Sequence, residues 1–228
     1  MTTAFTNDFA DVITDVVANT LSVSRTASTG LRARTGFTRS ARSVLLAASV
    51  LLAGCGSLQP APVVTQHDLG GLFEVGATRS PVPLRTLNVT AQPLVSGTGM
   101  QYREAAQPTR RANYAQNRWA APPAAMVEPA LLRLLAVDGG GSCRLQLSLA
   151  EFIIEVDAQG RSRARIAADL RLLDARGINV HMHSLDVSEP LARTAPAEGA
   201  QAMRRAVQRL GDGVAAWLGG DAGRACKG

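Results

Sequence analysis

Between Cys143 and Val187 the apolar residues recur at every second position, and this pattern narrows the fold more than any other feature of the chain. Cys143, Leu145, Leu147 and Leu149 share one side of an extended strand, while Phe152, Ile154 and Val156 continue with the opposite parity. Both sets can face one core only if a single extra residue is inserted between them. The phase change therefore predicts a β-bulge near Ala150 and Glu151. Asp157-Ala-Gln-Gly160 reads as a hairpin turn, and in the strand after it Ala164, Ile166, Ala168, Leu170 and Leu172 point one way. Arg163, Arg165, Asp169 and Arg171 point the other way, so one side of this sheet is wet. After Asp174-Ala-Arg-Gly177, residues Ile178 to Val187 complete an antiparallel meander.

The flanking segments supply the remaining elements. Alternation bounded by Gly or Pro predicts strands near Val63 to Leu69, Leu84 to Thr90 and Met100 to Ala105. Pro122 and Pro123 can open a helix in which Val127, Leu131, Leu134 and Leu135 recur at helical spacing. Pro129 is awkward inside that helix, costing about 3 kcal/mol, and moves its expected start toward Glu128. From Pro196 to Leu218, Met203, Val207, Leu210, Val214 and Trp217 form one apolar stripe of a closing amphipathic helix. Arg204, Arg205 and Arg209 lie on its polar face, which reads as solvated rather than as a headgroup or partner patch. The expected fold is α/β: a single three-layer-type domain with a mixed, largely antiparallel sheet and two main helices, in the order β-β-β-α-β-β-β-α.

The amino-terminal region reads as an address rather than as part of that domain. Arg39 and Arg42 precede a short apolar run from Val44 to Ala53, and Leu52-Ala53-Gly54-Cys55 follows the order of a secretory signal ending at small residues. The run falls short of the roughly 18 apolar residues that a bilayer-spanning helix needs. Leu-Ala-Gly-Cys resembles a bacterial lipobox, in which the cysteine thiol receives diacylglycerol, the peptide is cleaved before it, and an N-acyl chain is added. Residues 1–54 are then an extension plus lipoprotein signal peptide, 55–62 a Pro-rich tether, 63–220 the domain, and 221–228 a flexible tail. Methylenes on Cys55, each contributing about 0.8 kcal/mol, would hold the domain on a membrane. Cys143 and Cys226 remain as an even pair that an oxidising compartment allows to bond, although a free buried Cys143 fits the sequence equally well.

Charge and motif content exclude several functions. The formal net charge is +6, but Lys227 is the only lysine, so the basicity reflects an arginine habit and does not point to nucleic acid. His67, His181 and His183 are the only histidines, and none stands in a zinc spacing. His181 and His183 share a strand face that could hold a metal, yet ordinary sheet positions account for them. No nucleophile elbow is present, and Asp138-Gly-Gly-Gly-Ser142 lacks the lysine of a phosphate loop. The chain reads as neither an enzyme nor a cofactor binder.

One cluster is left over: Met100-Gln-Tyr-Arg103 and Tyr114-Ala-Gln-Asn-Arg-Trp-Ala-Ala-Pro-Pro123. Together with the lipobox, the Leu-rich helix, the Leu-x-Leu-x-Leu-x-x-Phe152 strand and the closing helix ending in Trp217-Leu218, it resembles the ABC-type transport auxiliary lipoprotein family of PqiC-like membrane-integrity proteins. His67-Asp68-Leu69 stands where that family often has Tyr-x-Leu. The resemblance implies a periplasmic accessory anchored at a membrane, working with an ABC permease and ATPase and an MCE-domain protein that move lipids or other hydrophobic molecules. It also implies sorting to the outer membrane, because Gly56 is not the aspartate of inner-membrane retention. The alternative is an outer-membrane assembly lipoprotein with no transport role. Tyr102, Tyr114, Arg118 and Trp119 have the chemistry of a partner surface. In the other reading Trp119 caps the core and Arg118 pairs with a carboxylate. A homo-oligomer would suit a symmetric partner.

Overall fold

The structure, a computed structural model, describes residues 62–226 apart from Leu72 and Gly76. The signal segment, Cys55 and nearly all of the tether therefore lie outside the described residues. The elements are β1 (Thr65–His67), β2 (Leu84–Ala91), β3 (Gly99–Glu104), β4 (Ala112–Trp119), helix α1 (Pro123–Leu134), β5 (Cys143–Val156), β6 (Ser162–Leu173), β7 (Asn179–Pro190), helix α2 (Pro196–Gly219) and a short helix α3 (Asp221–Arg224). One 3-10 turn covers Pro93–Val95.

Seven strands form one mixed sheet in the order β1-β4-β3-β5-β6-β7, with β2 also on β5. The 14-residue β5 is the spine. Its first half pairs in parallel with β2, its last three residues pair in parallel with β3, and its other edge takes β6 antiparallel. The register of β5 against β6 shifts between Leu149 and Glu151, so Ala150 is the inserted residue of the expected bulge. Leu145, Leu147 and Leu149 before it, and Phe152 and Ile154 after it, are all buried. They face α1 and α2 together with Ala164, Ile166, Ala168, Leu170 and Leu172 of β6.

The helices close this core from one side. Gly211 of α2 lies where a Cβ would sit 3.2 Å from Leu134 of α1, and Gly199 lies over Ile154 and Met100 so closely that a side chain would clash. Among the described residues the chain thus forms the expected α/β domain, a mixed sheet with helices packed on one face and the opposite face open.

Three expectations need adjustment. β4 is a full strand of eight residues, making the order β-β-β-β-α-β-β-β-α-α. Helix α1 starts at Pro123 and keeps Pro129 inside it. Glu128 helps fix it there: its Oε2 accepts the Val89 backbone N–H of β2 at 2.7 Å. The tail expected to be flexible from residue 221 is helical over Asp221–Arg224, and Cys226 is disulfide-bonded to Cys143, 83 residues away, with Cα atoms 5.6 Å apart.

Candidate functional site

Beyond the bulge, β5 presents Glu151, Ile153 and Glu155 to the open face, and the facing residues of β6 are Ala167, Arg165 and Arg163. Residues directly across a pair share a face, so the arginines stand beside the carboxylates. β3 adds Arg103 opposite Glu155, Arg111 just before β4 joins it, and β7 adds Asp186 opposite Ala167. Four arginines and three carboxylates, from four strands and the residue before β4, thereby meet in one lattice.

Glu155 is its hub. Oε1 accepts Arg103 Nη2 at 2.7 Å and Arg165 Nη1 at 3.1 Å, while Oε2 accepts Arg163 Nε at 2.9 Å and Nη2 at 2.7 Å. Burial alone would raise the carboxyl, but the three guanidinium hydrogen bonds overrule it and lower its pKa to about 2. Glu155 stays ionised at any physiological pH, so it cannot serve as a general acid; it binds the strands together. Arg165 also holds Asp186, whose carboxyl is lowered chiefly by that hydrogen bond, and Arg111 Nη2 lies 2.6 Å from Glu151 Oε1. Ile153 is fully buried although it faces this side between the two glutamates, which fits arginine stems lying over it.

Two hollows flank the domain's edges. One, of about 460 Å3, lies at the end of the sheet where the β5–β6 turn meets the segment after β3; Ala105, Pro108, Val156 and Pro190 give it apolar walls, and Arg103, Arg161 and Arg163 give it charge. The other, of about 370 Å3, lies between α1 and the segment Asp68 to Phe73. That segment is strapped down by two arginines. Arg204 Nη1 of α2 donates to the carbonyls of Leu69, Gly70 and Gly71 and its guanidinium sits 4.4 Å from the Phe73 ring centroid, while Arg133 Nε donates to the Phe73 carbonyl at 2.8 Å. Arg205 and Arg209 both reach the buried Glu189 of β7. The basic face of α2 therefore pins neighbouring segments and is not merely solvated.

The four residues read from sequence as a partner surface divide. Trp119 is 1% exposed and packs edge-on against Phe152 at 5.2 Å, so it belongs to the core and drops out of any contact surface. Its Nε1 is buried without a hydrogen-bond partner among the described residues. Tyr102 and Tyr114 stay together, half-buried, with ring centroids 4.9 Å apart. Burial, and then the neighbouring Tyr102, raise the Tyr114 phenol above its ordinary pKa. Arg118 is exposed, and no carboxylate pairs with it among the described residues. His183 stacks on Trp217 at 5.6 Å, and His67 Nε2 is 2.8 Å from Asn117 Oδ1. Sequence reasoning missed the Glu155 hub. The alternation that set Arg163 and Arg165 on the wet side was its local trace, but Arg103 reaches Glu155, and Arg111 the neighbouring Glu151, only through long-range contacts.

Comparison with known proteins gives one family and a shared fold. Several solved structures resemble the domain, the following two among them. One is the protein XCC0632 of Xanthomonas campestris, of the family DUF330, with 18% identity, a TM-score of 0.58, and coverage of 68% of this chain and 94% of that one. The other is a protein described only as uncharacterized, with 12% identity, a TM-score of 0.50, and coverage of 65% and 99%. At such identities the likeness shows the fold alone. No curated protein matches the chain in sequence. The family model for the ABC-type transport auxiliary lipoprotein component matches residues 75–215, which span β2 through most of α2 and include the whole arginine lattice. The chain belongs to the ABC-type transport auxiliary lipoprotein component family.

Proposed function

We propose that this chain is the non-catalytic accessory of an ABC transporter that moves lipids or other hydrophobic molecules, tethered through a lipidated Cys55 to the outer membrane and facing the periplasm. The match of the family model over residues 75–215 carries this reading. The Cys143–Cys226 disulfide supports it, because such bonds persist in oxidising compartments outside the cytosol. No phosphate-binding loop stands in the sequence to energise transport, so the chain acts by binding and positioning. Its surface offers the exposed Arg118 and the half-buried Tyr102–Tyr114 pair to an MCE-domain partner.

Two measurements test the reading. Mass spectrometry of the mature amino terminus should find Cys55 bearing diacylglycerol and an N-acyl chain, and Cys55→Ala should leave the membrane fraction while keeping its disulfide. An unmodified Cys55 in an uncleaved product would overturn the anchor. A photo-crosslinker at Tyr114 should capture an MCE-domain protein encoded beside an ATPase and permease. Capture of peptidoglycan-binding or outer-membrane assembly proteins instead would favour a structural lipoprotein and overturn the transport role.

A further inference from the structure

The hollow at the end of the sheet holds a mismatch between donors and acceptors. Its wall carries three basic and three acidic side chains, Arg103, Arg161 and Arg163 against Glu104, Glu155 and Asp157, so formal charge balances. Hydrogen bonding does not. Both Glu155 oxygens are occupied by guanidinium donors. Asp157 Oδ1 accepts the backbone N–H groups of Gln159 and Arg161, and Oδ2 accepts Arg161 Nε. Two of the three carboxylates are thus consumed in building the lattice and the turn.

The guanidiniums keep donors in hand. Arg163 spends Nε and Nη2 on Glu155 and leaves Nη1; Arg161 spends only Nε and leaves both terminal nitrogens, with no partner for any of them among the described residues. These two side chains are 59% and 79% exposed, at the mouth of a hollow whose remaining wall is Ala105, Pro108, Val156 and Pro190. Its volume of about 460 Å3 lies in the range of small-molecule sites. Unspent planar donors beside apolar wall match a ligand with an anionic head and an apolar body. Glu104 remains as a carboxylate on the wall without an arginine on it, which favours one negative charge on the head over two.

We propose that this hollow is a binding site for a monoanionic amphiphile, its carboxylate or phosphodiester head on Arg161 and Arg163 and its chain against Ala105, Pro108, Val156 and Pro190. The inference goes beyond the transport role and stands or falls without it.

Dodecanoate below its micelle-forming concentration is the probe, titrated into the full-length Cys55→Ala chain and followed by amide shifts and calorimetry. The expected result is saturable binding, with shifts centred on residues 103–108 and 155–163. Acetate, which has the head without the chain, and dodecyl maltoside, which has a chain without charge, should each bind at least about tenfold more weakly. Arg161→Gln with Arg163→Gln should weaken dodecanoate about tenfold, Glu104→Gln should tighten it, and Ala105→Trp should block it by filling the hollow. No saturable binding, shifts centred elsewhere, equal binding of acetate or dodecyl maltoside, or indifference to Ala105→Trp would each overturn the proposal. Should Ala105→Trp fail to fold, the exposed Arg161→Gln decides on its own, since loss of affinity at unchanged thermal stability supports the site and unchanged affinity removes it.

Discussion

The two faces of the β5–β6 pair are built from the same strands and obey opposite rules. On the helix side, Leu145, Leu147 and Leu149 with Ile166, Leu170 and Leu172 are at most 1% exposed, and every one touches other apolar side chains. On the open side, Glu155 accepts hydrogen bonds from Arg163 and Arg165, and Glu151 accepts one from Arg111, so charge is satisfied with charge. Apolar burial is non-directional and is worth about 25 cal/mol per Å2, so the helix side supplies the free energy that holds the fold. Ion pairs near the surface contribute little net stability each but fix geometry closely. Single substitutions on the open side should therefore cost the fold less than those on the helix side.

That division can be broken most severely at the disulfide. It closes a loop of 83 residues around β5 to α2, and constraining a loop of that length in the unfolded chain is worth about 4 kcal/mol. Cys143→Ser with Cys226→Ser should lower stability by that order, read as a shift of the urea midpoint, and should loosen the helix side first because α3 packs Ala222 into its core. An unchanged midpoint would mean that α2 holds the carboxyl end without the bond.

Adjacent residues give the cleanest contrast. Leu147 is 1% exposed toward the helices, and its neighbour Gln146 is exposed on the open side. Leu147→Ala should cost about 3 kcal/mol through lost burial and a residual cavity, whereas Gln146→Ala should stay within about 0.5 kcal/mol. Similar costs at both positions would show that the open face is covered in solution. A smaller effect is expected at the strap: Arg204→Ala removes three carbonyl contacts and a cation–π contact and should cost about 1.5 kcal/mol, with faster amide exchange confined to residues 69–73.

What the sequence discloses follows the same boundary. The bulge at Ala150 is legible because a single inserted residue inverts the parity of a long apolar pattern, and the stripe of α2 is legible because its core contacts repeat every three or four residues. β4 is not, since Ala-Asn-Tyr-Ala-Gln-Asn-Arg-Trp buries only Trp119 and is held by β1 and β3 rather than by its own periodicity. Trp119 itself fits an interface or a core cap equally well by composition, and its contact with Phe152 decides for the core. Pro129 argues for a late helix start, yet core contacts by Val127 and Leu131 on either side outweigh its missing hydrogen bond. The lattice runs from Arg103 to Asp186, and no local rule connects strands so far apart in sequence.

The lattice makes the final prediction, in which the open face reports on itself through pH. Glu155 titrates at about 2 in the folded chain against an ordinary value of 4.5. Between those values the unfolded chain takes up a proton that the folded chain refuses, so the stabilisation is complete above about pH 4.5 and is lost as the pH falls toward 2. Asp186, also lowered, adds a loss in the same direction. In Glu155→Gln the Glu155 part of this acid slope should disappear, while stability at neutral pH falls by about 1 kcal/mol because three guanidiniums lose their shared acceptor. Thermal unfolding of the two proteins from pH 7 to pH 2 checks this, and parallel curves would mean that Glu155 owes no stability to its arginines. Leu147→Ala should instead shift the whole curve downward without changing its shape, because it removes apolar contacts and no titratable group.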